Sequence, residues 1–496
     1  MPDDTKSKAI GGFYWFGLEK IITFSLVFFI TMVLSRLLTP KDFGVVAAVQ
    51  IVISFADIFS FLGVGPAIIQ KKELIDDDIV TANILNLLFG VVVYSIIFVF
   101  SKVISSFVGI SDVRILNVLA IVVLLHSLSG VSSSLLMKDM RFKTISKIHI
   151  AAQISYGIVA ILLAYLGFGP WALIAGRLVL TTTSTIINLW ILPLRIKPQI
   201  NWTSAKDLLI FGSGITITKI LNNFALQGDS WVASRYLGTI KLGYYNRAFS
   251  LFSMPTSMLG TILSRVLFPL LSKFQDRHEK LAYVFLNLNA LLALLSMPVS
   301  IFLFLSANEI VNLVLGDGWD PIVGPFKILV ICLFFRSSYK ISVSLIKSLG
   351  AIYRRLWTQV LFAASVIGGG IIGKEWGIMG IATATSISVF INYLVLSLLV
   401  KNLIDLNITD FKNYLLPIFI TNMFLAALSY AVSLMLIGVQ SDIIRVIILA
   451  LVMGILYLSA YKMFIHRWMP SDFNEFVSTI LKNTVNIPYK TKRINA

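Results

Sequence analysis

The chain has 496 residues, 57% hydrophobic and only 13% charged, with a mean hydropathy of +0.88 and a formal net charge of +17. Soluble chains are about half apolar and about a quarter charged, which excludes soluble multidomain enzymes, disordered chains and fibrous repeats. The class that remains is an all-α polytopic membrane protein, because a bilayer admits helices or closed barrels and apolar runs this long are helices.

The opening MPDDTKSKAIGG is short, polar and mildly basic. The apolar run Phe13–Leu34 after it is too long for a signal-peptide core and lacks a small-residue cleavage site, so it reads as a retained first span. Apolar windows then recur, and spans are predicted at about 13–36, 43–65, 79–100, 114–137, 145–167, 170–193, 207–235, 244–269, 281–305, 323–347, 356–374, 377–400, 412–437 and 441–465. These fourteen helices divide into an N-lobe over 1–200, a C-lobe over 201–406, two further helices over 407–466 and a tail over 467–496. The odd-numbered loops carry four Lys or Arg (Lys41, Lys102, Lys241, Lys374), whereas the even-numbered loops carry seventeen. The basic side is the cytoplasmic side, so both termini are expected in the cytoplasm. Most of the +17 is then topogenic charge, and no nucleic-acid partner is expected.

An internal repeat supports two homologous halves. Ser35 and Arg36, with Gly44 following, recur as Ser234, Arg235 and Gly243; Phe107, Val108 and Gly109 parallel Val314, Leu315 and Gly316; GPWALIA at 169–175 parallels GIMGIAT at 377–383. The offsets are 199, 207 and 208. Six helices per half is an even number, so the halves enter the membrane from the same side and are parallel repeats, with substrate expected between them.

Charged groups inside spans are costly and are functional candidates by default. Those near span ends (Arg36, Arg114, Arg235, Lys327, Arg445, Lys462) fit snorkelling to the headgroups. The deeper basic set is Lys20, Arg177, Lys219, Arg247, Arg265, Arg336 and Lys340, against the acidic Glu19, Asp57 and Asp229. They fall on polar faces: Arg177, Thr181, Thr185 and Asn188; Thr216, Lys219, Asn223 and Gln227; Gln50, Ser54 and Asp57; Arg247, Ser250, Thr261 and Arg265. Helix packing could account for the Ser, Thr and Asn, but packing does not require unpaired cations. A cation-lined aqueous cavity with an anionic ligand accounts for the surplus, Arg offering a bidentate fork and Lys a point charge. Asp57, Asp229 and Glu19 are the candidates for a coupling H⁺ or Na⁺, each with an ion pair to a neighbouring cation as its structural alternative. His126, mid-span, is either a titrating group or a hydrogen-bonded core residue. Pro255, Pro269, Pro298 and Gly368–Gly370 are either static kinks or points of bending.

No Walker loop, Gly-rich nucleotide fingerprint or nucleophile elbow is present. The lone Cys332 and the scattered His126, His149, His278 and His466 form no metal motif, so no enzyme activity, metal or cofactor beyond a coupling ion is expected.

Several segments carry a resemblance: VLSRLLTPKDFG at 33–44, DIFSFLGVGPAIIQKKEL at 57–74, LLMKDMRF at 135–142, LGYYNRAFSLFSMP at 242–255, RVLFPLLSKFQDRHEKL at 265–281 and VLGDGWDP at 314–321. Through them the chain resembles bacterial polysaccharide flippases of the polysaccharide-transporter family, most closely the colanic acid exporter type. That family shares a superfamily with multidrug extruders and the lipid II flippase. The resemblance implies export of an undecaprenyl-diphosphate-linked oligosaccharide across the bacterial inner membrane by alternating access. It also implies ion coupling, membrane lipids and polysaccharide polymerase machinery as partners, and a polyprenyl-tail groove at helices 13 and 14. The competing readings are a multidrug cation extruder, which calls for an acidic surplus this chain lacks, a lipid II-type exporter, and a membrane polymerase or ligase, for which the longest external loop, about 306–322, is short.

Overall fold

The computed structural model describes residues 3–195, 200–272 and 274–461, with five further positions between 469 and 476. The side chains of 3–14, 16, 258–270, 272, 352, 353 and 408 lie outside the described set, as does most of the predicted tail. Every regular element among the described residues is helical. In chain order these are α1 (Asp3–Leu37), α2 (Pro40–Phe61), α3 (Val64–Gln70), α4 (Asp76–Val99), α5 (Ser101–Val108), α6 (Val113–Leu119), α7 (Ile121–Lys138), α8 (Phe142–Tyr165), α9 (Pro170–Ile191) and α10 (Trp202–Val232). There follow α11 (Gly238–Ser272), α12 (His278–Leu305), α13 (Ala307–Leu315), α14 (Val323–Ile331), α15 (Leu333–Ser348), α16 (Ile352–Gly373), α17 (Gly377–Ile404), α18 (Ile408–Met435) and α19 (Asp442–Ala460).

Among the described residues, eleven helical stretches are long and apolar enough to cross a bilayer, twelve if the pair Asp320–Ile331 and Leu333–Ser348, bent by 44°, is one span. Sequence spacing predicts fourteen. The difference lies in two continuous stretches, Trp202–Ser257 (56 residues) and Arg354–Ile404 (51 residues), each more than twice the length of one crossing. A π-turn at Ala233–Leu237 joins α10 to α11, and a 3₁₀ turn at Lys374–Trp376 joins α16 to α17, so each predicted pair of spans runs on without an intervening loop. The outward faces keep large apolar side chains exposed, as at Val99 (72%) and Met423 (74%), which suits acyl chains rather than water.

Two compact units emerge. One comprises Met1–Asn246 with the short pieces Val314–Asp317 and Lys374–Ile378. Within it α8 packs on α1 and α9, α7 on α4 and α9, and α2 on α4, α7 and α10. Lipid offers no hydrophobic drive between helices, so small residues at crossings do the work: Gly157 receives Ile30, and Gly176 receives Tyr156 and Ala160. α2 begins at a capping box in which Thr39 Oγ1 accepts from the Asp42 N–H and Asp42 Oδ2 accepts from the Thr39 N–H at 2.9 Å, with Pro40 at the first helical position.

The repeat motifs converge in this unit. The Cα of Gly44 lies against the Thr239 carbonyl and the Gly243 amide, and reciprocally Gly243 lies against the Pro40 carbonyl and the Gly44 amide. Gly109 sits on Ser234, while Gly316 sits on the side chain of Arg36. The Arg235 guanidinium donates to the Ser106 carbonyl at 3.2 Å, and Lys374 stacks over Tyr236 at 4.2 Å. The two arginines read as headgroup anchors are thus parts of a backbone-to-backbone closure.

The second unit comprises Arg247–Leu313, Gly318–Gly373 and Met379–Ala496. α12 is its centre, packed on α14, α15 and α18, with Phe285, Phe334, Tyr393 and Ile418 in the core. α18 and α19 are tied to each other by Tyr457, whose hydroxyl donates to Asn422 Oδ1 at 2.5 Å. Arg445 does not reach out as an end-of-span anchor. It donates to the carbonyls of Ile437 and Val439 and pairs with Glu309 at 3.5 Å, tying α19 to α13.

Candidate functional site

The acidic candidates separate by environment. Glu19 on α1 is 2% exposed and lies between Lys20 Nζ (3.3 Å) and His149 Nδ1 of α8 (3.4 Å). Asp229 on α10 is also 2% exposed, and accepts from the Tyr245 hydroxyl and the Ser230 N–H, both at 2.6 Å. Each is enclosed by groups that join two helices. Asp57 differs. Its Oδ1 lies 3.0 Å from His126 Nδ1 of α7, and the two side chains keep 24% and 25% exposure. Beside them Asn86 of α4 is fully buried against Gly130, and neither atom of its amide has a hydrogen-bond partner among the described residues. Buried amides are ordinarily paired, so the Asn86 amide has hydrogen-bonding capacity to spare.

α10 runs antiparallel to α2. Gly212 abuts Gly63 at one end, and the Asn223 amide donates to Ser54 Oγ at 3.1 Å nearer the other. Interpolating between these contacts sets Lys219 level with Asp57. Lys219 is exposed, with no carboxylate at ion-pair distance among the described residues. Arg177 is part-buried on α9 and its Nε is enclosed without a hydrogen-bond partner among the described residues. The polar residues that share its face are used in packing: Thr185 donates to the Leu125 carbonyl at 3.0 Å, and Asn188 to the Ser184 carbonyl at 2.8 Å.

The second unit gathers Arg336 and Lys340 of α15 against α11. The Arg336 guanidinium stands over Phe249 at 4.7 Å and Phe252 at 5.5 Å, and Lys340 Nζ donates to the Thr256 carbonyl at 3.1 Å. Phe249, Phe252 and Thr256 recur at i, i+3 and i+7 and so share one face of α11. Arg247, two residues before Phe249, lies on the opposite face and is not brought to this pair. Arg265 lies in α11, but its side chain is outside the described residues. A charge at the centre of a membrane helix costs about 2.5–3.5 kcal/mol on insertion scales. Cation–π contact offsets roughly 1–2 kcal/mol of it. No carboxylate lies at ion-pair distance from Arg336 or Lys340 among the described residues, and α11, α15 and α16 together carry eight Lys or Arg and no Asp or Glu.

Comparison with known proteins now has a geometry to meet. The sequence profile of a family described as polysaccharide biosynthesis protein matches residues 33–324. The chain belongs to this family. Relatives include the lipopolysaccharide biosynthesis protein WzxC of Escherichia coli, 26% identical over 87% of this chain and 89% of that one. The teichuronic acid biosynthesis protein TuaB of Bacillus subtilis is 24% identical over 77% and 80%. Among solved structures, the lipid II flippase MurJ in an inward closed conformation superposes with a TM-score of 0.73 at 16% identity, covering 91% of this chain and 99% of that one. An inward-facing multidrug MATE transporter superposes at 0.60 and 15% identity, covering 77% and 98%. These likenesses show the fold of the MOP superfamily, and the chain is a multi-pass membrane member of the polysaccharide biosynthesis family, whose relatives include proteins named as a succinoglycan biosynthesis transport protein and a putative O-antigen transporter.

Within this family member, the residues that sequence reasoning missed are partners rather than candidates. His126 stood out only as a mid-span histidine, and no spacing links it to Asp57, 69 positions away. Tyr245 and His149 carry no polar-stripe signal because each lies on a different helix from the acid it meets.

Proposed function

We propose that the protein is a flippase that moves an undecaprenyl-diphosphate-linked oligosaccharide repeat unit from the cytoplasmic to the outer leaflet of the bacterial inner membrane, by alternating access, for polysaccharide assembly. Both termini face the cytoplasm, and the polysaccharide polymerase machinery acts on the product. The observation that carries this reading is the pair Arg336 and Lys340, held at membrane depth on helices free of Asp and Glu, with an aromatic face and a carbonyl in place of counter-ions. Such a pair is stabilised when a diphosphate arrives, and a cationic drug would be repelled. Changing both residues to Gln removes two charge-assisted contacts of about 1.5–3 kcal/mol each, so surface polysaccharide should fall at least about tenfold at unchanged protein level. Wild-type export by the double variant would refute the assignment.

Asp57 is the coupling residue in this reading, since its side chain keeps partial exposure whereas Glu19 and Asp229 are enclosed. In proteoliposomes Asp57→Asn should abolish accumulation driven by an H⁺ or Na⁺ gradient while leaving downhill flipping in place. Gradient-driven accumulation retained in that variant would remove Asp57 from the coupling step.

A further inference from the structure

α15 continues past Lys340 to a tight turn, and the turn assembles more positive charge. Gly350, in the left-handed region at φ +71°, lets the chain reverse, with the Gly350 N–H donating to the Lys347 carbonyl and the Ala351 N–H to that of Ile346. Lys347, in the last turn of α15, and Arg355, at the start of α16, are thereby brought to the same end of the two helices. Arg355 is part-buried, and its Nε is enclosed with no hydrogen-bond partner among the described residues.

Each feature is unfavourable without an anion. Like charges repel, and a cation in the first turn of a helix meets the positive end of the macrodipole. Acidic residues in the first turn of α16 would relieve both, and it has none. Topogenic charge has no need of an enclosed guanidinium, because it works as well when fully solvated.

We propose that Lys347 and Arg355 form a binding station for a phosphate or diphosphate group at the α15–α16 turn, which the substrate headgroup occupies before Arg336 and Lys340. The station rests on the export reading above and adds a first point of capture to it. Lys347 and Lys340 are seven residues apart, about 10 Å along α15, so the headgroup steps from one station to the next rather than bridging both. The guanidinium would take two oxygens in bidentate fashion, with the ammonium donating to another.

The test uses the purified full-length chain in detergent, with geranylgeranyl diphosphate as the probe and geranylgeraniol as the phosphate-free control. Loss of a charge-assisted contact is worth about tenfold in affinity, so Lys347→Gln with Arg355→Gln should weaken diphosphate binding at least tenfold and leave geranylgeraniol binding unchanged. Arg355→Lys, which keeps charge but loses the fork, should fall between. If the double variant melts early, the two single variants are read instead, and each should lose affinity. Wild-type affinity in the variants overturns the station and leaves the export reading standing. Displacement of the probe by an equal concentration of phosphatidylglycerol also overturns it, by identifying a membrane-lipid contact. A wild-type chain that binds no diphosphate probe overturns the export reading together with the station.

Discussion

Replacing Gly44 with valine should abolish polysaccharide export while the protein still reaches the membrane. At Gly44 and Gly243 the first turns of α2 and α11 touch backbone to backbone, and a side chain on either glycine would occupy the space of a carbonyl from the opposite helix. Helix backbones cannot yield as a flexible side chain can, so the helices must separate, and overpacking of this kind costs about 1–3 kcal/mol. That is enough to shift a conformational equilibrium balanced within a few kcal/mol. Gly44→Ala should give a milder loss and Gly44→Val a complete one, with Gly243 following the same order. Export in cells against membrane-fraction protein level is the measurement, and normal export by Gly44→Val would show that this contact is dispensable to the cycle.

The second large effect concerns Asp229, and it is one of stability. Asp229→Ala leaves the fully buried Tyr245 hydroxyl without its acceptor and removes a charged hydrogen bond of about 1.5–3 kcal/mol. The expected loss is about 3 kcal/mol, read as a lowered melting temperature in detergent. Asp229→Asn keeps an oxygen in place for the tyrosine and should lose less. An alanine variant that melts like wild type would show that the carboxylate does not hold the α10–α11 junction. Asp229 and Tyr245 thus tie α10 to α11 two residues beyond Gly243.

Much of this was legible in the chain because the bilayer simplifies the physics. Apolar runs had to be helices, and the surplus of Lys and Arg over Asp and Glu at membrane depth had to be offset by something other than local ion pairs. Even the closure at Gly44 left a trace, since the Ser35–Arg36–Gly44 motif recurs at Ser234–Arg235–Gly243, and those two copies meet each other. The number of spans was less legible. Hydropathy sees composition, whereas α10 and α11 form one unbroken helical stretch joined by a π-turn.

Sequence by itself determined the fold class and the membrane setting, because each depends on composition and on periods of a few residues. Tertiary structure alone decided which charged groups have partners. Asp57 and His126, Asp229 and Tyr245, and Arg336 with Phe249 are contacts between separate helices, and the energy of a charge in a membrane depends on what stands within a few ångströms of it. That distance is set by helix crossings, and no local pattern in the chain encodes it.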